Sequence, residues 1–329
     1  MSKTESTKKN YKIKSTRLIK RFEKETQNKY TDNPKKIIPW LVTKKPTWKA
    51  PTWRQYKSAI CEYFSETGQL QAKNELFEIQ CDGCRPNNYI ANSSSKKAKH
   101  FSLIDEKLIE KYFVERKRNK WTLQTYCFMK ATLLTGLRPC EWKSSELLKM
   151  RYKNKEIYVL TTKNAKDTNG RAHGDLRHLL LNNLSDAAIK VIKQHLLNIQ
   201  KHLEHESTTA TFSEYQEACR QTMKRATKDL FAKRKKRPSL YTCRHQFSAN
   251  LKNAGYSLVE IAALMGHGTD ETATVHYGRK SRKKGGGPKS RAGLPEAYPP
   301  EMARVKEVYV AKARNAPHNI NKNNKGPSL

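Results

Sequence analysis

Helical periodicity, bracketed by its own start and stop signals, runs through most of this 329-residue chain and is broken only briefly. Ser257 followed three residues later by Glu260 makes a capping box ahead of IAALM, and Gly266 is placed to close that helix. Ser213 with Gln216 repeats the pattern before EACRQTMKRATKDLFAKR, and Ser185 opens DAAIKVIKQHLLNIQ. Gly136 terminates a helix carrying Leu123, Tyr126, Met129 and Leu133, while Ile104, Leu108, Ile109, Tyr112 and Phe113 line a face of an earlier one. Between them EIYVLTTK and LRHLLLN read as short strands about a polar, glycine-containing turn. The expected fold is mainly α with a small β-hairpin or sheet.

Composition divides the chain. Residues 1–36 are rich in lysine and poor in apolar residues, and they read as a basic arm, disordered or weakly helical. From Ile37 the pattern changes: Trp48, Trp53, Tyr56, Ile60 and Phe64 recur at helical spacing, with Thr52 as an N-cap. A small helical domain is expected over 37–97, ending in the linker-like stretch NNYIANSSSKKAKH. A larger domain follows over 102–280, and residues 281–329 read as a basic, flexible tail in which PEMARVKEVYVAKA could form one late helix.

Lys and Arg number 66 against 30 Asp and Glu, a net charge of +36, which points to a polyanionic partner such as nucleic acid. No apolar run reaches the roughly 18 residues of a membrane span, and MSKTESTKKN lacks the apolar core of a secretory signal. Seven cysteines without regular spacing fit a reducing compartment; Cys81 and Cys84 form one C-x-x-C with no second pair to complete a zinc site. There is no P-loop and no carboxylate cluster of metal-binding type, so neither cofactor nor metal is expected.

The residues with chemistry lie in four short segments: Arg138 in TGLRPCEW, Arg244 in LYTCRHQFSANL, His267 in LMGHGTDETAT and Tyr277 in VHYGRK. Singly, each has an ordinary structural explanation. Together they suit transfer of a phosphodiester. Two guanidinium forks can enclose and neutralise the phosphate oxygens, an imidazole can donate to them or pass a proton, and a phenol can attack phosphorus. Glu141, three residues beyond Arg138, is placed to orient it. The basic run Lys233–Arg237 offers contacts to backbone phosphates.

These segments, in this order, closely resemble the tyrosine recombinase (phage integrase) family, strongly over about 104–280 and more loosely over TWKAPTWRQYKSAICEYF. The resemblance implies a helical SAM-like core-binding domain followed by a tyrosine recombinase catalytic domain. It implies Arg138 and Arg244 as phosphate clamps, His267 as their support and Tyr277 as the nucleophile of a 3′-phosphotyrosyl link. It also implies a hairpin-turn lysine as general acid, matched best by Lys163 with Lys166 as the alternative. Double-stranded DNA is the implied substrate, bound by a homotetramer on two sites, with accessory DNA-bending or directionality factors. A bacterial, cytoplasmic, nucleoid-associated setting and a mobile element's integration or excision follow from the same likeness.

Two departures stand out. Tyr241 occupies the place of the family's usual histidine three residues before the second arginine; a phenol can donate to phosphate but accepts protons poorly near pH 7. The spacing from His267 to Tyr277 is one residue long, which puts His276 at the usual distance. Two alternatives stay open: a DNA-binding protein of the same fold with weakened chemistry, and a type IB-like topoisomerase.

Overall fold

The computed structural model describes residues 5–85, 98, 100–116, 119–165, 167, 171–204, 210–271 and 288–309. The chain divides into two compact units, residues 1–96 and 97–329.

Among the described residues the first unit has four α-helices, α1 (Glu5–Thr26), α2 (Ile37–Lys44), α3 (Ala50–Glu66) and α4 (Leu70–Glu78). The amino-terminal segment expected to be a disordered or weakly helical arm is the 22-residue helix α1, packed on α3. Its mean composition is that of an arm, but Ser15, Leu18 and Phe22 recur at helical spacing among the lysines and are all buried. Phe22 meets the edge of Trp40, Trp40 meets Trp48, and Trp48 meets Tyr56, so the aromatic residues form one continuous core. Glu25 fastens α1 to α2 by accepting from Trp40 Nε1 at 3.1 Å and pairing with Lys44 at 2.7 Å; hydrogen bonds from Lys44 and Arg21 hold its carboxyl down at about 2. The N-cap of α3 is extended Lys49, three residues before the expected Thr52, and Pro51 sits in the first turn, where a missing N–H costs nothing.

The second unit holds α5 (Leu103–Glu115), α6 (Lys120–Thr135), α7 (Asp186–Glu204), α8 (Phe212–Leu230), α9 (Leu240–Asn253), α10 (Leu258–Met265) and α11 (Pro299–Met302). Its strands β1 (Glu146–Tyr152), β2 (Lys155–Lys163), β3 (Leu176–Leu180) and β4 (Glu296–Ala297) form one antiparallel sheet in chain order. The centre is α6, whose Phe128, Met129 and Ala131 are wholly buried and which packs on α7, α8 and α9. Capping follows the expected chemistry at Ser257–Glu260, where the box is formed. At α8 it does not: Thr211 and Glu214 make the box in place of Ser213 and Gln216. The earlier start buries Phe212 and Tyr215 and sets a carboxylate at the positive end of the helix.

Sequence patterning missed β1. Its side chains are mostly exposed, Leu148 and Met150 included, so no inside–outside alternation marks it. What defines it is the tight turn to β2 through Lys153 and Asn154, both at positive φ (48° and 61°). The carboxy-terminal segment is also more ordered than expected. Over 288–309 it contributes β4 to the edge of β3 and buries Leu294, Ala297 and Val305 in the core of the unit. Buried Glu301 accepts from the backbone N–H of His178 at 2.9 Å.

Candidate active site

The site is assembled where three helix ends and one strand meet. The α6 helix stops at Gly136, which is left-handed (φ 66°) and whose N–H closes on Thr132 O at 2.8 Å. A β-carbon at Gly136 would intrude into the Phe247 ring of α9, so close approach as well as conformation requires glycine. The chain then turns through Arg138 into a 3₁₀ turn at Glu141–Ser144. There the Glu141 carboxylate folds back on that turn. Its Oε2 accepts the backbone N–H of Arg138 at 2.7 Å and its Oε1 accepts from the Arg138 guanidinium at 2.5 Å. Glu141 thus orients Arg138 as its spacing suggests.

Arg244 stands one turn into α9 and is fully buried. Its Nη1 donates to Gly136 O and its Nη2 to Met265 O, both at 2.6 Å. One guanidinium therefore ties the stop of α6 to the stop of α10, two residues before Arg138 on one side and two before His267 on the other. Gly266 (φ 65°) caps α10, the His267 N–H returns to Ala262 O at 2.8 Å, and His267 Nε2 lies 3.4 Å from Arg244 Nη2. Arg138, Arg244 and His267 are each under a tenth exposed and share one locus.

A third guanidinium enters from β3. Arg177, wholly buried, donates Nη2 to Glu141 Oε2 at 2.6 Å, while Arg244 Nη1 lies 3.7 Å from the same oxygen. Burial pushes the Glu141 carboxyl up, but Arg177, Arg244 and Arg138 outweigh it and hold the group at about 2. Asn164, after β2, anchors the following loop by donating to Gly174 O at 2.7 Å, and Ala165 N–H reaches Glu141 Oε1 at 3.3 Å. Sequence reasoning took LRHLLLN only as a strand and missed Arg177; the available signal was a lone arginine among leucines, in a strand too apolar for a surface position.

Lys163 ends β2, opposite Leu176, and is exposed two residues before the backbone contact to Glu141. Tyr241, in the first turn of α9, is 40 % exposed and sets its ring edge-on to His245 at 5.2 Å, whereas Arg244 on the same helix points inward. Lys166, His276 and Tyr277 lie outside the described residues. Among the described residues no group of three or more His, Cys, Asp or Glu is arranged to hold a metal ion, and no helix is long and apolar enough to cross a membrane. Cys81 and Cys84 are free thiols against the core of the first unit.

A buried knot of three arginines surrounds one carboxylate at the junction of TGLRPCEW with the helix bearing YTCRHQF. The profile of the Phage integrase family matches residues 103–284, more than half of the chain, and the chain belongs to that family, the tyrosine recombinases. No curated protein matches it. Among solved structures it is similar to the Tn1549 transposon integrase in complex with a circular intermediate DNA, at 15 % identity and TM-score 0.41, over 74 % of this chain and 79 % of that one. It is also similar to the XerA recombinase, at 12 % identity and TM-score 0.36, over 82 % and 86 % of the two chains.

Proposed function

We propose that this chain is a site-specific DNA recombinase that cuts and rejoins strands through a 3′-phosphotyrosyl intermediate, serving integration or excision of a mobile element. The observation that carries the reading is the burial of Arg138, Arg244 and His267 at one locus around Glu141. Buried guanidinium groups held in place, Arg244 by backbone carbonyls and Arg138 by Glu141, are preorganised, so little rearrangement is needed when negative charge grows on a phosphate.

In this reading Arg138 and Arg244 take the two non-bridging oxygens of the scissile phosphate. The phenol oxygen of Tyr277 attacks phosphorus as its proton departs, and the bond from phosphorus to the 5′ oxygen breaks. Lys163 gives that oxygen a proton and leaves a 5′-hydroxyl. His267 supports the phosphate and Tyr241 is a further donor at the rim. Rejoining is the reverse step with a 5′-hydroxyl from the partner duplex, so the phosphotyrosyl bond conserves the energy and no nucleotide is consumed. Residues 37–97, together with α1, act as a helical core-binding domain, and a homotetramer engages two DNA sites.

The decisive experiment uses a nicked suicide duplex copied from the junctions that flank the coding region. The wild-type chain is expected to become covalently attached to it. Tyr277→Phe is expected to bind the same duplex with unchanged affinity and to form no covalent complex. Attachment by the phenylalanine variant would refute the nucleophile. Binding without attachment by the wild type would favour a DNA-binding protein with weakened chemistry, a reading that Tyr241 in the usual histidine's place supports.

A further inference from the structure

Glu141 presents a problem of charge. It is wholly buried and holds the turn that bears Arg138, yet a carboxylate beneath two arginines cancels part of the positive field a phosphate would meet. The geometry points to Arg177 as a positioning residue that neutralises Glu141, leaving Arg138 and Arg244 with their full combined charge toward the scissile phosphate. This rests on the phosphodiester reading above.

Three features support it. Arg177 approaches Glu141 Oε2 from β3, a different element from those carrying Arg138 and Arg244, and is completely buried. Its Nε and Nη1 find no hydrogen-bond partner among the described residues, and neither does Asn164 Oδ1 beside it. Leaving such donors unpaired in the interior is costly, and a neutral amide would serve if Glu141 needed only one more hydrogen bond. Positive charge is what a guanidinium supplies there and an amide does not. Gly266, finally, is packed so closely that a β-carbon would overlap both Arg177 Nη1 and Asn164 Oδ1. The backbone stop that presents His267 is thus fitted around the third arginine. Among the described residues three guanidinium groups surround one carboxylate. Without Arg177 the local charge would halve, from two positive units to one.

Sulfate, a tetrahedral anion whose charge is constant from mildly acid to mildly basic pH, is the probe. Its binding to the full chain is measured by calorimetry, and the portion abolished by Arg138→Ala is assigned to this site. Arg177→Met is expected to weaken that portion at least about tenfold near neutral pH. Adding Glu141→Gln to it is expected to restore affinity to within about threefold of wild type, because the charge that needed cancelling is gone. Arg177→Lys, which keeps the charge, is expected to stay within the same range. Sulfate affinity of Arg177→Met is also expected to recover as pH falls and Glu141 takes up a proton, and to recover by more than that of the double variant, which keeps His267 and His173 but lacks the carboxylate; a purely structural role would give both variants the same response.

A double variant as weak as Arg177→Met, or a single variant as tight as wild type, overturns the proposal. If Arg177→Met does not fold, the double variant and Arg177→Lys decide alone, since one removes both members of the Arg177–Glu141 pair and the other keeps a cation against Glu141. Sulfate binding that follows this pattern in a chain unable to attach to DNA would sink the recombinase reading and leave the charge argument standing. Wild type without a site-specific sulfate signal would sink the charge argument.

Discussion

His195→Leu should make the second unit resistant to mild acid. His195 lies inside the core, its ring 4.6 Å from those of Phe128 and Trp142, and neither ring nitrogen has a hydrogen-bond partner among the described residues. Burial lowers its pKa from 6.5 to about 3, so the folded protein keeps the ring neutral. The unfolded chain takes up a proton below its own value, so the stability His195 permits is fully present above about pH 6.5 and is lost as pH falls toward about 3. Each pH unit in that window costs about 1.4 kcal/mol, and the group is fully buried, so solvent screening does not reduce the figure. Between about pH 6.5 and pH 5 the loss is about 2 kcal/mol, or about 4–8 °C in melting temperature for a unit of this size. Glu141, held at about 2 against its usual 4.5, loses stability in the same direction but only below about pH 4.5, outside the window. His173, also lowered by burial, is common to both proteins and cancels in their difference. Urea unfolding followed by circular dichroism at the two pH values measures the effect. Equal acid losses in wild type and His195→Leu would show that the neutral buried imidazole is not the source, and the reasoning fails.

Four further outcomes are expected. Gly266→Ala strains a left-handed backbone and displaces Arg177 and Asn164, and should cost about 1–3 kcal/mol and abolish covalent attachment to DNA. Gly255→Ala, at φ 80° with open space around it, carries the strain alone and should keep attachment in the same assay. Lys163→Ala should slow cleavage of ordinary DNA by about 10²–10⁴-fold and be largely rescued when sulfur replaces the 5′ bridging oxygen, because a thiolate leaves without a proton; an unrescued loss would move the acid elsewhere. Phe22→Ala should lower the stability of the first unit by about 3–5 kcal/mol in thermal unfolding, whereas a dispensable arm would show no change.

Much of the second unit's plan is legible in the sequence because its signals are short-range. The Ser257–Glu260 box and the glycine stops at 136 and 266 act over a single helical turn, so neighbours in the chain contain what they need. The spacing of Arg138 and Glu141 is equally local and yields the orienting bond directly. The choice between Thr211–Glu214 and Ser213–Gln216 was not local. Both satisfy the capping pattern, and the start of α8 at Thr211 is the one that places Phe212 and Tyr215 in the core.

The sequence by itself determined the helical character, the stops and the order of the family's motifs. Tertiary structure decided the rest: that Leu18 and Phe22 turn a lysine-rich segment into part of a core, that Glu296 and Ala297 extend a sheet begun some 150 residues earlier, and that Arg177 joins Glu141. The physical reason is the distance over which each interaction closes. A cap is satisfied within four residues. A buried charge is tolerable only when chain folding brings an opposite charge from elsewhere, and no local pattern names that partner.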